Sequence, residues 1–102
     1  MRNCVCHLSF PLKKFRKVNK CYKLKEIIGI NSFNTSNVTT MRGMFNACSE
    51  LKNIDLSYFK TSNVTDLSIM FQECFELEYV DISNFNIKNV KNIGWMFNNA
   101  IN

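Results

Sequence analysis

The 102-residue chain is poor in proline, glycine and histidine. One proline, Pro11, excludes a polyproline or collagen-like strand. Three glycines, Gly29, Gly43 and Gly94, lie far apart and form no glycine-rich loop to cradle a phosphate. The single histidine, His7, sits in an irregular front end, and no acid pair is set against a base. General acid–base chemistry is therefore not expected. No apolar run approaches the roughly 18 residues that would cross a bilayer as a helix. Acid is missing from residues 1–25, which hold eight Lys or Arg. Residues 26–102 hold five basic and eight acidic residues, so +8 and −3 give the net charge of +5. The high isoelectric point thus belongs to the front of the chain. Such a segment is either a solvated end or a dock for nucleic acid or anionic membrane through Lys13, Lys14, Arg16 and Lys17.

Cysteine is present but gives no framework. The count of five is odd, which argues against a closed disulfide set. Cys4-Val5-Cys6-His7 has C-x-C spacing and no second ligand pair, a weak zinc signal. The expectation is no metal and no cofactor.

What the chain does have is a period. The residues from Val64 to Phe85, moved back by 26, fall on a second copy of themselves. Met70-Phe71 meets Met44-Phe45, Cys74 meets Cys48, Leu77 meets Leu51, and Asp81-Ile82-Ser83 meets Asp55-Leu56-Ser57. Moved forward, the apolar set recurs as Val90, Ile93, Met96 and Phe97. Self-similarity at 20 to 50 residues signals stacked repeats. Alternation in Ile28-x-Ile30, Ile54-x-Leu56 and Val80-x-Ile82 predicts short half-buried strands that pair in parallel from coil to coil. Polar turns rich in Asn, Thr and Ser follow each strand, in a chain with 15 Asn. Next, apolar residues recur at three- and four-residue steps, which predicts short helices over 42–47, 68–73 and 94–99.

The fold class expected is α/β: a leucine-rich-repeat-like solenoid, short parallel strands alternating with short helices, in about three coils. Residues 1–11 form a poorly defined tail. Residues 12–33 are a degenerate first coil or cap, 34–59 and 60–85 full repeats, and 86–102 a truncated repeat. Met44, Met70, Met96, Phe45, Phe71 and Phe97 are read as core, with Phe33, Phe59 and Phe85 stacking inward. Cys21, Cys48 and Cys74 are read as small buried thiols, since Ala100 takes the next rung.

The pattern L-x-x-I-D-L-S-x-F-x-T-S-N-V-T-x-L-x-x-M-F-x-x-C, running from Leu51 to Cys74, resembles the BspA-type leucine-rich repeat of bacterial surface proteins. The resemblance spans roughly residues 20–102 and implies a repeat module, cell-surface display, adhesion and host-protein binding. It brings no catalytic residues. The front of the chain shows no secretory h-region or lipid-attachment context that display would use.

The outward strand face carries Asn53, Asp55, Ser57, Tyr58, Tyr79, Asp81, Ser83 and Asn84. This is the candidate partner-binding face, with tyrosine of the kind enriched at interfaces. Asp55 and Asp81 admit two readings: an anion row for a cation or basic partner, or carboxylates bonded within their own turns. The expected function is non-enzymatic protein binding by a surface-derived repeat module. The alternatives are the basic front binding nucleic acid or membrane, and a piece of a longer repeat protein without a role of its own. The open far end also predicts end-to-end self-association.

Overall fold

The computed structural model describes residues 7–8, 18, 20–27 and 30–100. The other residues, including Lys13, Lys14, Arg16 and Lys17, lie outside this set. Regular structure is sparse. The strands are β1 (His7–Leu8), β2 (Glu26–Ile27), β3 (Asn53–Asp55) and β4 (Tyr79–Asp81), with one 3-10 turn at Ile30–Ser32. β1 pairs with β2 and β3 with β4, both in parallel. In the second pair Asn53 faces Tyr79, Ile54 faces Val80 and Asp55 faces Asp81, an offset of 26. Isolated parallel bridges join Thr40 to Asp66 and Asp66 to Asn92 at the same offset.

The expected α/β solenoid of strands alternating with helices is corrected. Among the described residues no α-helix forms, and 42–47, 68–73 and 94–99 are turns. The reason lies in where the backbone N–H groups go. An α-helix spends each N–H on the carbonyl four residues back. Here every second N–H leaves for the next coil. Met41 donates to the Asp66 carbonyl (2.9 Å), Gly43 to Ser68 (3.0 Å), Phe45 to Met70 (2.9 Å) and Ala47 to Gln72 (2.7 Å). Leu67, Ile69, Phe71 and Glu73 repeat this toward Asn92, Gly94, Met96 and Asn98. The alternate N–H groups of Met44, Asn46 and Cys48 close turns on Met41, Gly43 and Phe45.

Left-handed backbone makes those turns. Positive φ recurs at Gly43 (65°), Ile69 (49°) and Trp95 (60°), and again at Ala47 (63°), Glu73 (61°) and Asn99 (59°). Each is the third residue of a closed four-residue turn, as a type II turn requires. A left-handed residue at every fourth position cannot belong to a right-handed helix. The three- and four-residue apolar steps are real, but a ribbon of turns produces them.

Side chains complete the stack. Phe45 and Phe71 lie 5.6 Å apart with ring planes 6° from parallel, Phe71 and Phe97 5.2 Å apart at 8°, and Phe33 and Phe59 6.1 Å apart at 28°. Leu24, Met44, Phe45, Leu51, Leu56, Val64, Met70 and Phe71 are fully buried. Phe85 and Met96 are only half-buried, and Phe97 keeps 39% exposure, because no further coil covers them within the described residues. Buried Thr35 both donates to the Lys60 carbonyl (3.0 Å) and accepts from the Lys60 N–H (2.8 Å). Thr61 does the same with Asn86 at 3.1 and 2.7 Å. The amides of Asn63 and Asn89 donate back to the carbonyls of Ser36 and Ser62, at 2.8 and 2.6 Å. The Asn- and Thr-rich turns are thus cross-coil hooks.

Cys48 and Cys74 are free and buried, and their thiols donate to the carbonyls of Val18 and Phe45, both at 3.1 Å. Burial pushes the Cys48 thiol up to about 12 and the Cys74 thiol up to about 11. A thiolate is the reactive form. Both should therefore resist a thiol reagent at neutral pH until the protein is unfolded, which labelling followed by mass spectrometry of each cysteine peptide would read. Labelling of either in the folded chain would contradict the packing. Cys21 is instead disulfide-bonded, which corrects the reading of a third packed thiol there.

A candidate partner-binding face

β3 and β4 set the candidate residues on a parallel ladder, where neighbouring strands are about 4.8 Å apart. Asn53, Tyr58, Tyr79, Ser83 and Asn84 are exposed, Asp55 is exposed beside buried Ile54, and Ser57 and Asp81 are half-buried. The tyrosines stand well out, Tyr58 at 69% and Tyr79 at 57% exposure. The face does not form one site. Asn53, Asp55 and Tyr79, with Glu26, Ile27 and Asn31, line a hollow of about 510 Å³. Ser57, Tyr58 and Asn84, with Asn34, Lys60 and Ser62, line a second of about 630 Å³. Asp81 and Ser83 line neither of these two.

The carboxylates are held within their own turns. Asp55 accepts from the Ser57 N–H (2.9 Å). Asp81 accepts from the Ser83 N–H (3.0 Å) and hydroxyl (2.6 Å). Asp66 accepts likewise from Ser68, at 2.8 and 2.6 Å. Such two-residue loops are how Asp and Asn shape turns. The anion row therefore has a structural task first. Asn84 is also engaged, its amide donating to the Ser57 carbonyl at 2.7 Å.

The Ser57 hydroxyl and N–H, helped by Asn31, hold the Asp55 carboxyl below the ordinary carboxylate range. The Ser83 hydroxyl and N–H do the same for Asp81, against an opposing push from Asp55. A depressed folded value means the stabilising contribution is whole above the unfolded pKa of about 4 and is lost as pH falls through the lower folded value. A carboxyl titration followed by NMR should give Asp81 a midpoint below that of a free aspartate, and Ser83→Ala should raise it. An ordinary midpoint in the parent chain would remove the turn as its cause.

Three exposed aromatics escaped the sequence reading: Phe75, Tyr22 and Trp95, the last 70% exposed. Phe75, 51% exposed, lines a third hollow of about 840 Å³ with Lys25, Glu50 and Lys52. A surface ion pair, Lys25 to Glu50 at 3.6 Å, crosses its rim. Tyr22 is 56% exposed. The signal for Phe75 was present: it follows Cys74 at the position where the preceding repeat carries Ser49. Among the described residues no group of three or more His, Cys, Asp or Glu is placed to hold a metal. No described helix is long and apolar enough to cross a membrane.

No curated protein and no solved structure matches the chain. A family pattern does match, over residues 13–102, which takes in the turn ribbons, the phenylalanine stack and the tyrosine face together. By that match the chain belongs to the family described as Mycoplasma protein of unknown function, DUF285.

Proposed function

We propose that this chain is a non-enzymatic binding module that engages another protein through the outward β3–β4 face. The observation that carries the reading is the pair Tyr58 and Tyr79, both more than half exposed on a backbone pinned from coil to coil. Aromatic side chains lose little conformational freedom on binding and supply much of an interface's contact area. Each tyrosine stands beside a hollow, a more polar one at Tyr58 and a more apolar one at Tyr79, a combination that suits recognition of a peptide or protein surface. The likeness of Leu51–Cys74 to the BspA-type repeat supports an adhesion role at a cell surface.

The test places a photo-reactive amino acid at position 58 or 79 in the whole chain and identifies crosslinked polypeptides from the cell surface and surrounding medium. One dominant polypeptide is expected. Its capture should fall at least tenfold with the Tyr58→Ala, Tyr79→Ala pair and persist with Tyr22→Ala. Capture indifferent to the tyrosine pair would defeat the proposal. The basic front is the competing dock, and steep loss of capture with salt would favour it.

A further inference from the structure

The hollow beside Tyr58 is built from turns, not from strands. β3 ends at Asp55 and β4 at Asp81, and the walls come from the turns at 34–36 and 57–62 and from Asn84 and Asn86. Cross-coil bonds fix those walls. Buried Thr35 grips the Lys60 backbone through both its N–H and its carbonyl, and buried Thr61 grips Asn86 in the same way. Buried Phe33 and Phe59, stacked on each other, close the floor.

The three Asn amides here are each held by one half and open at the other. Asn34 spends its side-chain oxygen on the Ser36 N–H (3.2 Å) and hydroxyl (2.6 Å), which leaves its nitrogen as a donor. Asn86 spends its oxygen on the Lys88 N–H (3.0 Å) and keeps its nitrogen likewise. Asn84 is the reverse: its nitrogen donates to the Ser57 carbonyl (2.7 Å), which leaves the oxygen as an acceptor. The hollow therefore presents oriented donors and an oriented acceptor side by side. Hydroxyl groups are the class that both donates and accepts.

Charge and shape narrow the ligand. Among the described residues no carboxylate lines the hollow, and Lys60 is its one charged side chain. A cation meets no counter-charge there. An extended peptide binds by adding to a strand edge, and no strand runs through these turns. A volume of about 630 Å³ is that of a small-ligand site. Tyr58 supplies the remaining part. The coils before and after carry Ser32 and Asn84 at its phase, so the repeat itself calls for no aromatic there. Its ring is 69% exposed, and the electron-rich face of such a ring attracts the weakly positive C–H groups of a saturated ring.

We infer that the Tyr58 hollow is a sugar site, taking a neutral pyranose unit of a glycan with its C–H face on Tyr58 and its hydroxyls on Asn34, Asn84 and Asn86. This deepens the reading of the face as a recognition surface, and rests on that reading for the polypeptide that carries the glycan.

Two measurements on the full chain test it. In the first, lactose, maltotriose and N-acetylated chitotriose are titrated into the isotopically labelled chain, with sorbitol as the control. At least one of the three should shift the side-chain amide signals of Asn34, Asn84 and Asn86 in NMR spectra. Tyr58→Ala should weaken that response at least tenfold, while Tyr58→Phe and Tyr79→Ala keep it. An unchanged Asn86 backbone amide in Tyr58→Ala shows that the walls are intact. No response to any of the three, a response matched by sorbitol, or one that survives Tyr58→Ala overturns the inference. In the second, the polypeptides offered to a photo-reactive group at position 79 are first stripped of glycans by glycosidases. Capture should fall at least tenfold. Undiminished capture overturns the inference and leaves the protein-binding face standing. A sugar response with no captured polypeptide upholds the hollow and defeats the protein reading.

Discussion

Phe71→Ala is expected to cost about 3–5 kcal/mol, the range for emptying a buried aromatic site. Phe71 is the middle ring of three, stacked on Phe45 at 5.6 Å and on Phe97 at 5.2 Å, with no exposed surface. Its loss removes two ring contacts and leaves a gap between coils. The coils are tied to one another by alternate hydrogen bonds, so they cannot slide to close that gap. Domains of this size are stable by only about 5–15 kcal/mol, so the variant should be close to unfolding. Phe97→Ala is the comparison. Among the described residues Phe97 has a ring on one side only, and it keeps 39% exposure, so its loss should cost roughly a third as much. Urea denaturation of both variants reads the difference directly. Equal losses would mean that the rings do not form a cooperative stack.

The sequence announced this stack through its period. Met70-Phe71 falling on Met44-Phe45 placed the rings in line, and Asp81 falling on Asp55 placed the strands in register. What it did not announce was the backbone between. The residues Leu67, Met70, Phe71 and Cys74 satisfy a helical spacing, and a ribbon of four-residue turns buries the same positions. The feature that separates the two is left-handed backbone, which glycine at 43 hints at. Ile at 69 and Trp at 95 conceal it, since a β-branched or bulky residue rarely adopts that conformation. The match to the surrounding coils imposes it there. The candidate face was legible in part. The alternation that sent Asp55, Tyr79 and Asp81 outward could be read from sequence, but the division into two hollows could not. That division depends on where the chain turns after each strand.

Thr61→Val carries the second large effect. Valine matches threonine in shape, so the change removes a hydroxyl and little else. That hydroxyl is 25 residues from its partner, accepts from the Asn86 N–H at 2.7 Å and donates to the Asn86 carbonyl at 3.1 Å. Thr61 is 2% exposed, but Asn86 is exposed, so water can reach part of what the hydroxyl held. An unsatisfied buried donor or acceptor costs about 1–3 kcal/mol, and with that partial replacement the expected loss is about 1–3 kcal/mol. Thr61→Ser keeps the hydroxyl and should recover most of it. Thr65→Val is the control: Thr65 is exposed, and its hydroxyl donates to the Thr39 carbonyl at 3.2 Å, where water can replace it. Urea midpoints should order the variants Thr65→Val, Thr61→Ser, Thr61→Val from most to least stable, and the Asn86 amide should exchange faster only in the last. A Thr61→Val chain as stable as Thr65→Val would show that the hook carries no load.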